Sequence, residues 1–104
     1  MFLNNTIDCD KINGSLVVRN RISGDKIKIM GRNTKSLKKL YCEIKLDPKI
    51  RDIVPVISDD TGVVWAFGAG VDARVVADKR TINAVEVEVY STNDTDSIER
   101  KCEN

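Results

Sequence analysis

The apolar stretches of this chain are short, and each ends at turn-forming residues. Few folds accommodate this pattern. Residues 55–58 and 63–67 are two such stretches on either side of Asp-Asp-Thr-Gly at 59–62. Two short apolar runs around a glycine-containing turn predict a β-hairpin. Gly-Ala-Gly at 68–70 is predicted to break the ladder after the second run. The middle of the chain is therefore expected to form a sheet of short strands.

Both ends of this region carry further candidate strands. Residues 83–90 alternate valine with Glu86, Glu88 and a final tyrosine, which predicts a half-buried strand with an acidic outer face. Residues 7–12 alternate less regularly and are followed by Asn-Gly at 13–14, a strong turn signal. We expect a strand at each of these positions.

A second hairpin is predicted nearer the start of the chain. Residues 16–21 and 26–29 alternate apolar with polar side chains, and Ser-Gly-Asp at 23–25 is a turn signal between them. This hairpin is expected to have one cationic face. The side chains on that face are Arg19, Arg21, Lys26 and Lys28.

Residues 35–46 have the spacing of an amphipathic helix. The apolar positions, at i, i+3, i+4 and i+7, are Leu37, Leu40, Tyr41 and Ile44. The opposite arc is mostly cationic and consists of Lys35, Lys38, Lys39, Cys42 and Lys45. Asp47 before Pro48 then predicts an N-cap and the first position of a second, short helix that ends near Ile53.

These elements predict the α+β class: a small, mostly antiparallel, sandwich-like sheet domain with one amphipathic helix and one short helix. The 104 residues suffice for one domain, assigned to residues 1–90, and the polar residues 91–104 are expected to be a disordered tail. No apolar run is long enough for a membrane span, and the first residues do not resemble a signal peptide, so a cytoplasmic location is expected.

The composition argues against independent catalysis and against structural metal. The chain has no histidine, which removes the commonest general base and a common metal ligand. Its three cysteines are an odd number and form no Cys-x-x-Cys, so they are expected to be free thiols. Asp59 and Asp60 lack the further ligands of a calcium loop. We expect no metal or cofactor in this domain.

Charge is distributed very unevenly along the chain. Residues 15–51 contain eleven lysines and arginines against three acids, a net charge of +8, whereas the other residues sum to −7. A basic stripe on an otherwise acidic domain is typical of a polyanion-binding protein. The total charge of +1 conceals this asymmetry.

Several blocks of the sequence, in order and with matching spacing, resemble the C-terminal domain of tRNA(Ile)-lysidine synthase over roughly residues 7–89. They are Leu-Val-Val-Arg-Asn-Arg at 16–21, Gly-Asp-Lys-Ile at 24–27, Lys-Ser-Leu-Lys-Lys-Leu at 35–40, Arg-Asp-Ile-Val-Pro at 51–55, Trp65, Gly68, and Val-Asp-Ala-Arg at 71–74. The chain departs from the family pattern at Ser36, Asp47 and Lys49. Each block is weak by itself, but the set is specific.

The resemblance implies a domain that holds tRNA(Ile) while a separate catalytic domain of the same parent protein joins lysine to the wobble cytidine. ATP and magnesium would be bound by that catalytic domain. The Ser-Gly-Gly-x-Asp-Ser signature of its ATP-binding loop does not occur in this chain. The resemblance therefore implies a substrate-binding domain of a ligase, with no activity of its own, and leaves open whether it forms a homodimer.

Nine basic residues are the candidates for tRNA contact, because lysine and arginine neutralise backbone phosphates. They are Arg19, Arg21, Lys26, Lys28, Arg32, Lys35, Lys38, Lys39 and Arg51. A cationic surface with few exposed aromatic residues suits a duplex RNA stem, which is recognised by shape and phosphates. The alternatives are a merely solvated face, or a protein-interaction or interdomain-packing module with no direct RNA contact. Such a module would dock an acidic partner or its own acidic strand at Glu86 and Glu88.

For other notable residues, a structural role is also weighed against a binding role. Arg51 and Asp52 are as consistent with a buried ion pair as with RNA contact. Gly24 and Asp25 are expected to form a turn and not a binding site. The aromatic residues in apolar runs are expected to be core, with base stacking as the alternative. They are Tyr41, Trp65 and Phe67.

Overall fold

The computed structural model describes residues 5–90. Within that part of the chain the strands are β1 (Thr6–Asp8), β2 (Val17–Arg19), β3 (Lys26–Ile27), β4 (Lys35–Ser36), β5 (Val56–Ser58), β6 (Val63–Ala66), β7 (Gly70–Val71) and β8 (Ala84–Glu86). One α-helix, α1 (Leu37–Glu43), follows β4, and one 3-10 turn (Cys9–Lys11) follows β1. The tail predicted at residues 91–104 lies outside the described residues.

The central element is a four-stranded antiparallel sheet in the order β2-β5-β6-β7. Its β5–β6 hairpin confirms the prediction made from residues 55–67. Every residue of β6 is buried, because the strand is covered on both faces. A register shift between Ile57 and Ser58 lets Val64 and Trp65 face the same side of the sheet.

Two hydrophobic clusters lie on opposite faces of this sheet. The first joins the sheet to α1 and β3 and contains Ile27, Leu37, Leu40, Val56, Val63, Ala66 and Ala69. The second joins the sheet to β1 and contains Ile7, Val64, Trp65, Val71, Val75 and Val76. The fold is thus a layered α+β domain, which confirms the predicted class.

The predicted break is confirmed at Gly68 and Ala69, which form a turn after β6, but Gly70 begins a new strand that returns to the sheet. Gly68 has a φ of 80°, in the left-handed region that favours glycine, and the N–H of Ala69 donates to the carbonyl of Ala66. Gly70 then begins β7, which pairs with β6. A two-glycine segment in this sequence therefore extends the sheet by one strand.

The hairpin predicted from residues 16–21 and 26–29 does not form. Instead, β2 pairs with β5 and β3 pairs with β4, in two different sheets. The turn itself is present, since the N–H of Asp25 donates to the carbonyl of Ile22 and Gly24 has a φ of 92°. Pairing with β5 extends the central sheet, which the local hairpin would not do, and that long-range gain decides the arrangement.

The helix is confirmed, with both ends inside the predicted limits. Ser36 is the N-cap and accepts a hydrogen bond from the N–H of Lys39, so the helix begins at Leu37. It ends before Lys45, which has a φ of 58° that a helix cannot continue. The apolar positions Leu37, Leu40 and Tyr41 are all buried, as expected.

The second short helix, predicted from Asp47 to Ile53, is wrong. Asp47 does accept a hydrogen bond from the N–H of Lys49, as a cap would, but successive turns follow. The N–H of Ile50 donates to Asp47 and that of Ile53 to Ile50, three residues back in each case. These turns leave Ile53 exposed and bury Val54, which leads the chain into β5.

The two terminal segments pair with each other. β1 and β8 form an antiparallel ladder, in which Ile7 lies opposite Val85. The predicted strand at residues 7–12 is shorter than expected, because the Asp8 side chain accepts the N–H of Asp10 and starts the 3-10 turn. The strand predicted at residues 83–90 forms only over Ala84–Glu86, and its three residues are all exposed, so the predicted half-buried character is wrong for this strand. Glu86 and Glu88 are exposed, as expected.

Candidate RNA-binding surface

Arg19 is held by an acidic neighbour. Its two terminal nitrogens donate to the two carboxylate oxygens of Asp25 at 2.8 and 3.0 Å, and its Nε donates to Ser58. Burial by itself raises the pKa of Asp25, but the hydrogen bonds from Arg19 and from the N–H of Ile22 hold that pKa below its ordinary value. Arg19 therefore fixes the turn at residues 22–25 and is not free for a ligand.

Arg21 lies beside this turn and is packed against the helix. Its guanidinium carbon is 5.8 Å from the centre of the Tyr41 ring, within the range of a cation–π contact. One nitrogen of Arg21 donates to Asp52 at 2.6 Å. The ring of Tyr41 is fully buried, and this burial raises the pKa of its hydroxyl against the opposing charge of Arg21.

A surface cleft of about 350 Å³ opens between the turn at residues 22–25 and the start of α1. Arg21 and Lys38 line it as cations, Ser23 and Ser36 as hydroxyls, and both Asp25 and Asp52 as acids. The cleft contacts no part of the acidic strand β8. Lys26 lies directly across the β3–β4 ladder from Ser36, so a third cation adjoins the same cleft.

Three more candidates surround Glu43 at the end of α1. The Lys35 ammonium donates to both oxygens of Glu43 at 2.6 Å. This hydrogen bond, with the positive charges of Lys35, Arg32 and Lys39, lowers the pKa of Glu43. Arg32 and Lys35, which precede α1, thus lie near Lys39 on α1. The Glu43 carboxylate partly neutralises these three cations.

Lys28 and Arg51 lie at the margins of this surface. The Lys28 side chain is exposed, while its backbone N–H donates to Asp72. Arg51 is half-buried, and it donates to the carbonyl of Leu46 and to the sulfur of Cys42. The buried ion pair considered between Arg51 and Asp52 is absent, because Asp52 pairs with Arg21 instead.

The nine candidates therefore divide into two groups. Arg19, Arg21, Lys35 and Arg51 have protein partners, as described above. The other five are exposed and have no ion-pair partner among residues 5–90, and we define them as the basic surface: Lys26, Lys28, Arg32, Lys38 and Lys39. They belong to β3, the loop that follows it, and α1.

One strongly bonded acid was not anticipated from the sequence. The Asp59 carboxylate, fully buried, accepts both terminal nitrogens of Arg74 at 3.0 Å and three backbone N–H groups. Those groups belong to Asn13, Thr61 and Gly62. Asp followed three residues later by glycine is a local turn signal that could have indicated the two nearer bonds. Nothing in the sequence pattern indicates that Arg74 is the ion-pair partner of Asp59.

No metal site is seen in the part of the chain that the structure describes, since no three Cys, Asp or Glu side chains are grouped to hold an ion. The two described cysteines, Cys9 and Cys42, are free thiols. Tyr41 and Trp65 are buried and Phe67 is half-buried, so the core interpretation of these aromatic residues is confirmed. No helix among residues 5–90 is long and apolar enough to cross a membrane.

Fold and surface together define a small α+β domain whose exposed cations without ion pairs lie on β3, on the loop after it and on α1. The chain belongs to the family described as the TilS substrate C-terminal domain, whose model matches residues 16–88. The family inferred from the sequence blocks is thus confirmed. Residues 16–88 include all five members of the basic surface.

Individual relatives agree with this assignment. A tRNA(Ile)-lysidine synthase of Clostridium tetani is 27% identical over 92 residues, which are 88% of this chain and 20% of that protein. One from Caldanaerobacter subterraneus subsp. tengcongensis is 33% identical over 82 residues, 78% of this chain and 18% of that protein. A crystal structure of a TILS C-terminal domain superposes with a TM-score of 0.67 at 28% identity, covering 81% of this chain and 67% of that one.

The chain spans about a fifth of the length of these two curated relatives. The shared region corresponds to the C-terminal domain of a tRNA(Ile)-lysidine synthase. The aligned region is longer than the family match at residues 16–88, since 92 residues align with the Clostridium tetani protein.

Proposed function

We propose that this domain binds tRNA(Ile) through the basic surface and so holds the substrate for lysidine synthesis. In the full-length protein, a catalytic domain using ATP and Mg²⁺ would join lysine to the wobble cytidine. The site of action would be the cytoplasm, where tRNA is modified. The observation that supports this proposal most directly is the adjacent pair Lys38 and Lys39, both exposed on α1 and neither engaged in an ion pair.

The chemistry of this surface suits a phosphate backbone. When exposed lysines without a protein partner neutralise phosphates, the counterions condensed on the RNA are released. This release makes binding favourable at low salt. Among residues 5–90, no aromatic side chain lines the cleft, and Tyr41 is buried beneath Arg21. Duplex RNA, which is recognised by its shape and phosphates, fits such a surface better than unstacked bases do.

The test is titration of isoleucine tRNA with the CAU anticodon by the wild-type domain and two double variants. Lys38→Ala with Lys39→Ala removes two charges from α1. Lys79→Ala with Arg80→Ala removes the same charge from the exposed loop before β8, on the other side of the central sheet. Each titration is run at two or more salt concentrations, and circular dichroism verifies folding.

We expect the α1 variant to raise Kd by roughly tenfold and to reduce the slope of log K against log salt by about 1.4–1.8, the range for two phosphate contacts. The loop variant should change Kd by less than about twofold, because it leaves the basic surface intact. Equal effects of the two double variants would show that only net charge matters. Absence of salt-sensitive binding would favour the protein-interaction alternative.

A further inference from the structure

The two acids that line the cleft are bound very differently. Asp25 has a side chain only 9% exposed and uses both oxygens to bind Arg19, while the N–H of Ile22 donates to one of them. Its charge is balanced within the fold, and it cannot leave without opening the turn. Asp25 is therefore a permanent part of the cleft wall.

Asp52 is bound by one contact and is open to solvent. Its side chain is 78% exposed, and a single oxygen accepts from Arg21 at 2.6 Å. Exposed ion pairs of this kind contribute little free energy, because water solvates both charges well and the side chains must be immobilised. Asp52 can therefore separate from Arg21 at small cost.

Arg21, in contrast, is held in place by contacts that do not involve Asp52. Its side chain is only 19% exposed and lies over the Tyr41 ring, which belongs to the core side of α1. The contact with Tyr41 does not depend on Asp52, so a guanidinium released by Asp52 still lines the cleft. A planar guanidinium binds phosphate oxygens in the same way as it binds carboxylate oxygens.

We propose that Asp52 is an internal competitor for the RNA phosphate at Arg21. This inference rests on the proposed function, and it adds Arg21 and one acid, Asp52, to the five cations of the basic surface. A phosphate that enters the cleft takes the place of the Asp52 carboxylate on Arg21 and also contacts Lys38, which lines the same cleft. The exchange is favourable because one carboxylate contact is replaced by contacts to two cations. A weaker anion that reaches only Arg21 gains nothing from the exchange.

The experiment compares Asp52→Asn with Asp47→Asn in tRNA titrations over a series of salt concentrations. Asp47 is the matched control: it is exposed, has no ion pair in residues 5–90, and lies in the same series of turns, five positions before Asp52. Its side chain accepts the N–H of Lys49, a role that asparagine can also perform. Both variants remove one negative charge, so that only the release of Arg21 distinguishes them. The same two substitutions are also made in an Arg21→Ala background.

We expect Asp52→Asn to lower Kd by about two- to fivefold relative to Asp47→Asn, the fold-change that corresponds to ~0.4–1 kcal/mol for an exposed ion pair. The salt slope should also become steeper. In the Arg21→Ala background the two substitutions should be equal, because no guanidinium remains to be released. A merely structural role of Asp52 would change stability in urea without this dependence on Arg21.

The outcomes separate the two proposals. If the wild-type domain binds with salt sensitivity but Asp52→Asn and Asp47→Asn are indistinguishable, the internal competitor is ruled out and the proposed function stands. If the advantage of Asp52→Asn persists without Arg21, the mechanism through Arg21 is also ruled out. A wild-type domain that shows no salt-sensitive binding overturns the proposed function and this inference together.

Discussion

Replacing Asp59 by asparagine tests whether one buried carboxylate joins three segments of the fold. The side chain is fully buried and accepts hydrogen bonds from Asn13, from Thr61 and Gly62 in the β5–β6 turn, and from Arg74 after β7. All five bonds are 2.9 to 3.1 Å long. Asparagine keeps the size of the side chain but provides one acceptor oxygen and no charge.

The magnitude follows from what the substitution leaves unpaired. The amide group of asparagine is itself a donor, so it faces N–H groups that have lost their acceptor, at roughly 1–3 kcal/mol for each buried group. The charged partner Arg74 is 34% exposed and can reach water, which limits its share. Breaking a buried pair typically costs about 3–5 kcal/mol, and we expect a loss in this range. That is a large part of the ~5–15 kcal/mol that stabilises a domain.

The assay is urea unfolding followed by the fluorescence of Trp65, the single tryptophan, which is 3% exposed in the folded state. Asp60→Asn is the control, because Asp60 is exposed and next to Asp59. The control should change the free energy of unfolding by less than about 0.5 kcal/mol. A loss below ~1 kcal/mol for Asp59→Asn would refute the reasoning.

The same variant predicts a pH dependence with a defined sign. Burial by itself raises the pKa of Asp59, but the hydrogen bonds from Arg74 and three backbone N–H groups outweigh it and hold the pKa far below its ordinary value. The stabilisation is therefore fully present above the unfolded pKa of about 3.9 and is lost as pH falls towards the folded pKa. The stability difference between wild type and Asp59→Asn should be constant from pH 7 to 5 and shrink below about pH 4. A difference that grows on acidification would contradict this account.

Two smaller predictions concern the ends of α1. Ser36→Ala removes the side-chain oxygen that accepts the N–H of Lys39, and it should destabilise the domain by ~0.5–2 kcal/mol. This loss is measured as a lower Tm. An unchanged Tm would mean that solvent caps the helix equally well. Lys45→Gly should raise the free energy of unfolding, measured in urea, by up to ~1 kcal/mol. The reason is that Lys45 has a φ of 58°, which glycine adopts without strain. A loss of stability would show that the lysine side chain makes a compensating contact.

The sequence predicted best the elements whose determinants are contiguous. The β5–β6 hairpin and α1 each follow from a periodic pattern within about a dozen residues, and each is present. The start of α1 was placed two residues early, because only the backbone geometry shows that Ser36 is the cap. The second helix failed because Asp47-Pro48 permits a helix start without determining how the following residues fold.

For the basic surface, the sequence supplied the residue types and the uneven charge distribution but not the partners. Arg21 pairs with an aspartate 31 positions away, and nothing in the pattern around either residue indicates that contact. The acid that binds Arg19 was assigned only to a turn. Which cations remain free to bind a ligand is therefore a property of the folded chain.

By itself, the sequence determined the fold class, the helix with its cationic face, the central hairpin and the family, because these depend on local periodicity and on the order of short blocks. Only the tertiary structure decided that β2 pairs with β5, that β3 pairs with β4, and that Asp59 binds Arg74. The physical reason is that strand pairing and ion pairing depend on distances between segments remote in the chain. Those distances are set by packing the two clusters against the central sheet, which alternation and charge counts do not encode.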